Sequence, residues 1–77
     1  MILRVLIEKT VGKHCTSIDD GEKIYELVSP EIAKNLTVEV DFKRVKSMLT
    51  PFLNACFGKL LEHYGKEKIM ANVAMRN

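Results

Sequence analysis

Between Leu36 and Phe42 the chain alternates without a break, with Leu36, Val38, Val40 and Phe42 on one side and Thr37, Glu39 and Asp41 on the other. A period of two sustained over such a stretch marks a strand with one buried and one wet face. Beyond it, Thr50-Pro51 opens a run in which Phe52, Leu53, Cys56, Phe57, Leu60, Leu61 and Tyr64 recur at helical spacing, with Gly65 at its end. Threonine can cap a helix, proline is pre-set for its first position, and glycine takes the left-handed conformation that closes one. The stretch from Lys68 to Met75 is apolar enough for a further strand. Strand, helix and strand then form one βαβ unit over about 36–75, whose strands are parallel and whose crossover is right-handed. That unit sets the fold class as α/β.

The preceding residues add to it. Ile2 to Glu8 places Leu3, Val5 and Ile7 opposite Arg4 and Glu8, a first strand broken in pattern only by Leu6. Thr10 to Thr16 reads as a connecting loop. Ser17 is the expected cap of a helix whose first turn carries Asp19 and Asp20 at the positive end of its dipole. Ile18, Ile24, Tyr25, Leu27 and Val28 form its apolar face, and Gly21 weakens it by about 1 kcal/mol relative to alanine. Ser29-Pro30 is expected to end or bend this helix, leaving a short turn over Pro30 to Lys34 that Asn35 closes. Lys43 to Leu49 is a crossing segment with Val45 and Met48 pointing inward. The expectation is a small single domain over 1–77, with a three- to four-stranded sheet and helices packed on it.

A core this small is thin, so a partner or a second copy adds stability, and a three-stranded sheet leaves edges to be covered. A homodimer fits that need. Apolar residues make up 47% of the chain and charged residues 29%, which places it among folding domains. The net charge of +2, from 12 basic and 10 acidic residues spread along the chain, falls short of the field of a dedicated nucleic-acid binder. No run approaches the roughly 20 apolar residues of a membrane span, and Met1-Ile2-Leu3-Arg4 lacks the apolar core of a signal peptide. The cytoplasm is the expected compartment, with no membrane partner. There, Cys15 and Cys56 read as a loop thiol and a core residue rather than a disulfide.

Motifs for chemistry are sparse. Gly12-Lys13 lacks the first glycine of a phosphate loop, and His14 stands where that loop needs a hydroxyl. His14-Cys15 has no second ligand pair and His63 stands alone, so neither a metal nor a cofactor is expected. A Cys15 nucleophile paired with His14 or His63 rests on residue type alone. First-turn acids account for Asp19 and Asp20 without magnesium. No catalytic residue is assigned and the chain is not expected to be an enzyme. Lys43, Arg44 and Lys46 cluster after the second strand, with Lys59, Lys66 and Lys68 beyond, and no aromatic residue is interleaved for base stacking. Ser47-Met48-Leu49-Thr50-Pro51 sets hydroxyls at a helix start, where backbone amides and the dipole favour a phosphate.

Two strings carry a family resemblance: Val38 to Val45, with its Asp41-Phe42 pair, and Leu49-Thr50-Pro51-Phe52-Leu53-Asn54-Ala55-Cys56-Phe57-Gly58-Lys59-Leu60. Together with Cys15-Thr16-Ser17-Ile18-Asp19-Asp20-Gly21-Glu22-Lys23 upstream, the chain resembles the STAS-like family, small bacterial domains long catalogued without assigned function. That family is similar to anti-sigma-factor-antagonist and sulfate-transporter domains, whose regulatory members bind a kinase-like ATPase and are controlled by phosphorylation of a Ser or Thr at this helix start. The resemblance implies Thr50 as the matching hydroxyl, with Ser47 nearby. Leu49 stands where those regulatory domains carry an acidic residue, and Pro51 and Phe52 replace small residues, which favours docking over a switch. The expected function is a non-enzymatic regulatory module that binds a protein partner, a histidine-kinase-type ATPase, through Lys43, Arg44, Lys46, Leu49, Thr50 and Asn54. The alternative is a nucleic-acid-associated regulator using Lys43, Arg44, Lys46 and Lys66.

Overall fold

The computed structural model describes residues 2–76. In chain order the elements are β1 (Ile2–Leu6), α1 (Ile7–Val11), β2 (His14–Cys15), α2 (Ile18–Ala33), β3 (Thr37–Asp41), β4 (Ser47–Met48), α3 (Thr50–Leu53), a π-helical turn (Asn54–Gly58), α4 (Lys59–Tyr64), α5 (Lys66–Asn72) and β5 (Val73–Arg76). The helical segments from α3 to α4 run on without interruption over 50–64.

The alternating segment becomes the central strand of a parallel sheet ordered β1-β3-β5, with Val5 opposite Val40 and Val38 opposite Val73. Val5, Val38 and Val40 turn toward the helices and join Ile7, Ile24, Val28, Ile32, Phe52, Cys56 and Leu60 in one buried cluster. Across the other face of the sheet Glu39 accepts from Arg4 at 2.8 Å, and the Arg76 guanidinium lies 3.5 Å from the same carboxylate oxygen. A second sheet, of β2 and β4 alone, is also parallel. The α/β class, the pairing of the βαβ unit and the parallel strands are as the sequence implies.

Several boundaries differ from the sequence reading. The first strand ends at Leu6, because Ile7 and Val11 lie four apart and turn inward together as a short helix. The expected loop contains β2, and Cys15 is fully buried rather than a loop thiol. The second helix continues through Pro30 to Ala33. Its stripe of Ile24, Val28 and Ile32, all fully buried, spans the proline, and that packing outweighs the roughly 3 kcal/mol penalty of an interior proline. Pro30 and Glu26, whose carbonyl loses its helical donor, both lie on the exposed side, where water can replace the bond. Asn35 does close the helix, at φ 61°, with its N–H donating to Ile32 O and that of Leu36 to Glu31 O at 2.9 Å each. Met48 is exposed rather than inward, whereas Val45 packs against the core. The expected third strand from Lys68 is helix α5 as far as Asn72 and only four residues of strand. Gly65, at φ 87°, ends α4 and lets the next helix begin at once, with Ile69 as its buried residue. No helix among the described residues is long and apolar enough to cross a membrane.

Candidate functional site

The two-residue strands β2 and β4 lie side by side, His14 opposite Ser47 and Cys15 opposite Met48. Flanking bonds extend the pairing: Lys46 N donates to Lys13 O at 2.7 Å and Leu49 N to Cys15 O at 2.9 Å. His14 Nδ1 and Ser47 Oγ are 2.8 Å apart. Because the strands are parallel and each runs straight into a helix, the starts of α2 and α3 are delivered to the same place.

The two starts are built differently. Ser17 Oγ accepts from Asp20 N at 3.1 Å, the cap that the sequence implies. At α3 the cap position belongs to Leu49, in extended conformation and without a side-chain bond, so Thr50 is the first helical residue and Pro51 the second. Pairing with β2 holds Leu49 extended and pushes the helix start one residue further on than the Thr50 cap expected from the sequence. Below the starts the helices touch. A Cβ on Gly21 would lie 2.5 Å from Phe52 O and 2.7 Å from the Ala55 Cβ, so no other residue fits without moving α3. The π-helical turn then sends three successive residues, Ala55, Cys56 and Phe57, into the core, and Phe57 meets the Phe42 ring at 6.1 Å between centroids.

What remains outside is apolar. Ile18 is 57% exposed, Leu49 51% and Met48 40%, bordered by exposed Thr50 and Pro51. The Thr50 hydroxyl makes no side-chain hydrogen bond among the described residues, whereas half-buried Ser47 is engaged by His14. Asn54 is exposed one turn further along. Lys43, Arg44 and Lys46 lead into this apolar surface from the preceding loop. They line two adjoining hollows at the carboxyl ends of β1 and β3, together with Arg4, Lys9 and Lys13. Sequence reasoning missed Ile18 as a surface residue because helical spacing assigns it to the apolar face. It missed the second trio because strand β1, helix α1 and the loop before β2 are distant in sequence from Lys43.

The candidates for chemistry are dispersed. Burial pushes the Cys15 thiol above its ordinary value, and the Asp20 carboxylate adds to the rise. Burial likewise pushes Cys56 up to about 11, against backbone hydrogen bonds that pull the other way. Cys15 Sγ lies 3.9 Å from Gly12 O, while His63 is exposed and stacks edge-on against Tyr64 at 4.6 Å. Both thiols are therefore biased away from the thiolate that a nucleophile requires. Among the described residues no three His, Cys, Asp or Glu side chains gather as metal ligands.

None of the curated proteins or solved structures compared with the chain matches it. The sequence pattern of one family, the STAS-like domain of unknown function (DUF4325), matches residues 20–77, from the first turn of α2 through β5. That span contains the central strand, the alternation that defines it and the whole α3–α4 helix, and on this evidence the chain belongs to the family of STAS-like domains of unknown function.

Proposed function

We propose that this domain is a non-enzymatic regulatory module that docks a protein partner on the paired helix starts, the partner being an ATPase of the histidine-kinase type. The observation that supports it is the exposure of Ile18, Met48 and Leu49 on a framework held rigid by the β2–β4 pairing and the Gly21 contact. Apolar residues that cannot retreat into the core are the material of a protein interface, whose buried centre is apolar with a polar rim. Exposed Thr50 stands at that rim, at the positive end of the helix that begins there. A phosphate added to it would be stabilised by the helix amides and would place charge against the apolar centre of the docking surface from its edge. Phosphorylation at Thr50 would thus release the partner.

The test compares affinity capture from native lysate with the unaltered protein and with Leu49→Arg, each checked for folding by circular dichroism. Recovery of an ATPase by the first and its loss with the second is the expected result. The same set of bound proteins for both would refute this surface. Mass spectrometry of the recovered chain reports phosphate on Thr50 or Ser47, and Thr50→Glu is expected to weaken binding at least tenfold, about 1.4 kcal/mol.

A further inference from the structure

We propose that the carboxyl end of the three-stranded sheet binds the phosphate backbone of a nucleic-acid duplex. The chain's 12 basic residues are scattered in sequence, yet the fold brings Arg4, Lys9, Lys13, Lys43, Arg44 and Lys46 to two adjoining hollows that share Arg44. Only two carboxylates, Glu8 and Asp41, line the same hollows. Among the described residues Arg4 alone of the six forms an ion pair, with Glu39 at 2.8 Å. The other five form no ion pair among the described residues, and six cations against two carboxylates leave the hollows with an excess of positive charge at one end of the molecule. Half of the basic residues thus make the concentrated field that the net charge conceals.

The backbone beneath them is fixed. Lys46 N donates to Lys13 O at 2.7 Å, Val45 N to Phe42 O at 3.0 Å and Lys43 N to Asp41 Oδ1 at 2.9 Å. Arg44 occupies the left-handed region at φ 70°, a conformation that residues bearing a side chain seldom adopt, and the turn holds it at the junction of the hollows. Apolar lining is confined to Leu6 and Val45, and no aromatic ring is present. A protein partner would find no anchor pocket there, and single-stranded bases no platform to stack on. Point charges on long stems suit a row of phosphates read without regard to sequence. Lys66 does not belong to this site, since it lines a separate apolar hollow with Phe57, Leu61 and Met70. None of the residues lining these hollows belongs to the apolar surface of Ile18, Met48 and Leu49, so the two surfaces are tested by different substitutions and their failures are distinguishable.

The experiment is fluorescence anisotropy of a labelled DNA duplex of about 20 base pairs, and of the same sequence as duplex RNA, titrated with the full chain. Five cations outside any ion pair predict a slope of about −4.5 in log affinity against log salt, a loss of about five-hundredfold between about 50 and about 200 mM. Arg44→Gly removes a charge while suiting the backbone, and Lys46→Gln removes one on an exposed stem. Each is expected to reduce the slope by about 1, whereas Lys66→Gln leaves it unchanged. A slope near zero, a slope indifferent to Arg44→Gly and Lys46→Gln, or tighter binding of a polyglutamate peptide than of either duplex would overturn the proposal.

Discussion

Gly21 illustrates how one residue is priced differently by a helix and by a fold. In an isolated helix alanine is better there by about 1 kcal/mol, but here the added methyl would meet the backbone oxygen of Phe52 at 2.5 Å. A backbone atom cannot swing aside as a side chain can. Gly21→Ala is therefore expected to destabilise the protein by about 1–3 kcal/mol, read as a lower urea midpoint at unchanged m-value. A stabilised variant would show that α2 and α3 do not approach so closely. The buried thiols act at the same scale. Cys56 ionises near 9 when unfolded and at about 11 when folded, so the folded state holds its proton longer. Its contribution is complete below pH 9 and is lost as pH rises toward 11. Stability of the unaltered protein should fall more steeply over that window than that of Cys56→Ala, and identical slopes would contradict the shift. Ellman's reagent should find neither thiol until the chain unfolds, since both side chains are fully buried.

Among the elements, α2 carries the sharpest conflict between local preference and packing. Pro30 lies on its exposed side, so replacing it restores a hydrogen bond without disturbing Ile24, Val28 or Ile32. Pro30→Ala is expected to raise stability by roughly 1–3 kcal/mol in a chemical denaturation curve. A neutral or negative result would mean that Ser29, whose carbonyl accepts from the Tyr64 hydroxyl at 3.0 Å, depends on the proline for its position. The same competition explains which elements could be read from the sequence. β3 and the α3–α4 helix were legible because their own residues repeat with one period over several turns or pleats. Asn35 was legible as a closing residue because few residues other than glycine tolerate positive φ, but Pro30 hid the fact that the helix itself runs up to it. Strands β2 and β4 were not, since two residues carry no period and their existence depends on each other. Helix α5 was hidden because Ile69, Met70, Ala71, Val73 and Ala74 satisfy a strand as well as a helix, and the left-handed turn at Gly65 decided the matter. The docking surface was half legible. Leu49 and Thr50 were visible from the helix start, while Ile18 became part of it only once β2 and β4 had paired.

Across the whole molecule the charges are the least legible feature, because net charge says nothing of where folding puts each one. The basic end draws on two separate stretches of chain, 4–13 and 43–46. On the bare face of the sheet, Glu39 faces an arginine on each edge strand. These pairs are largely wet at their arginine ends, so Glu39→Gln is expected to cost only about 0.5–1 kcal/mol at low salt and almost nothing in about 1 M salt. A salt-independent loss would point to a packing role for the side chain instead.

The trio of Arg4, Glu39 and Arg76 matters more for alignment than for energy. Arg4 pairs in register with Glu39, and Arg76 sits one pleat beyond Ala74, the residue that Glu39 faces on the other side. Sliding either edge strand by a single residue would turn its arginine from water toward Val38 and Val40, which no carboxylate there could compensate. A sheet this short has few apolar pairs with which to count its own register. The charged face does the counting, because every one-residue slip would bury an arginine.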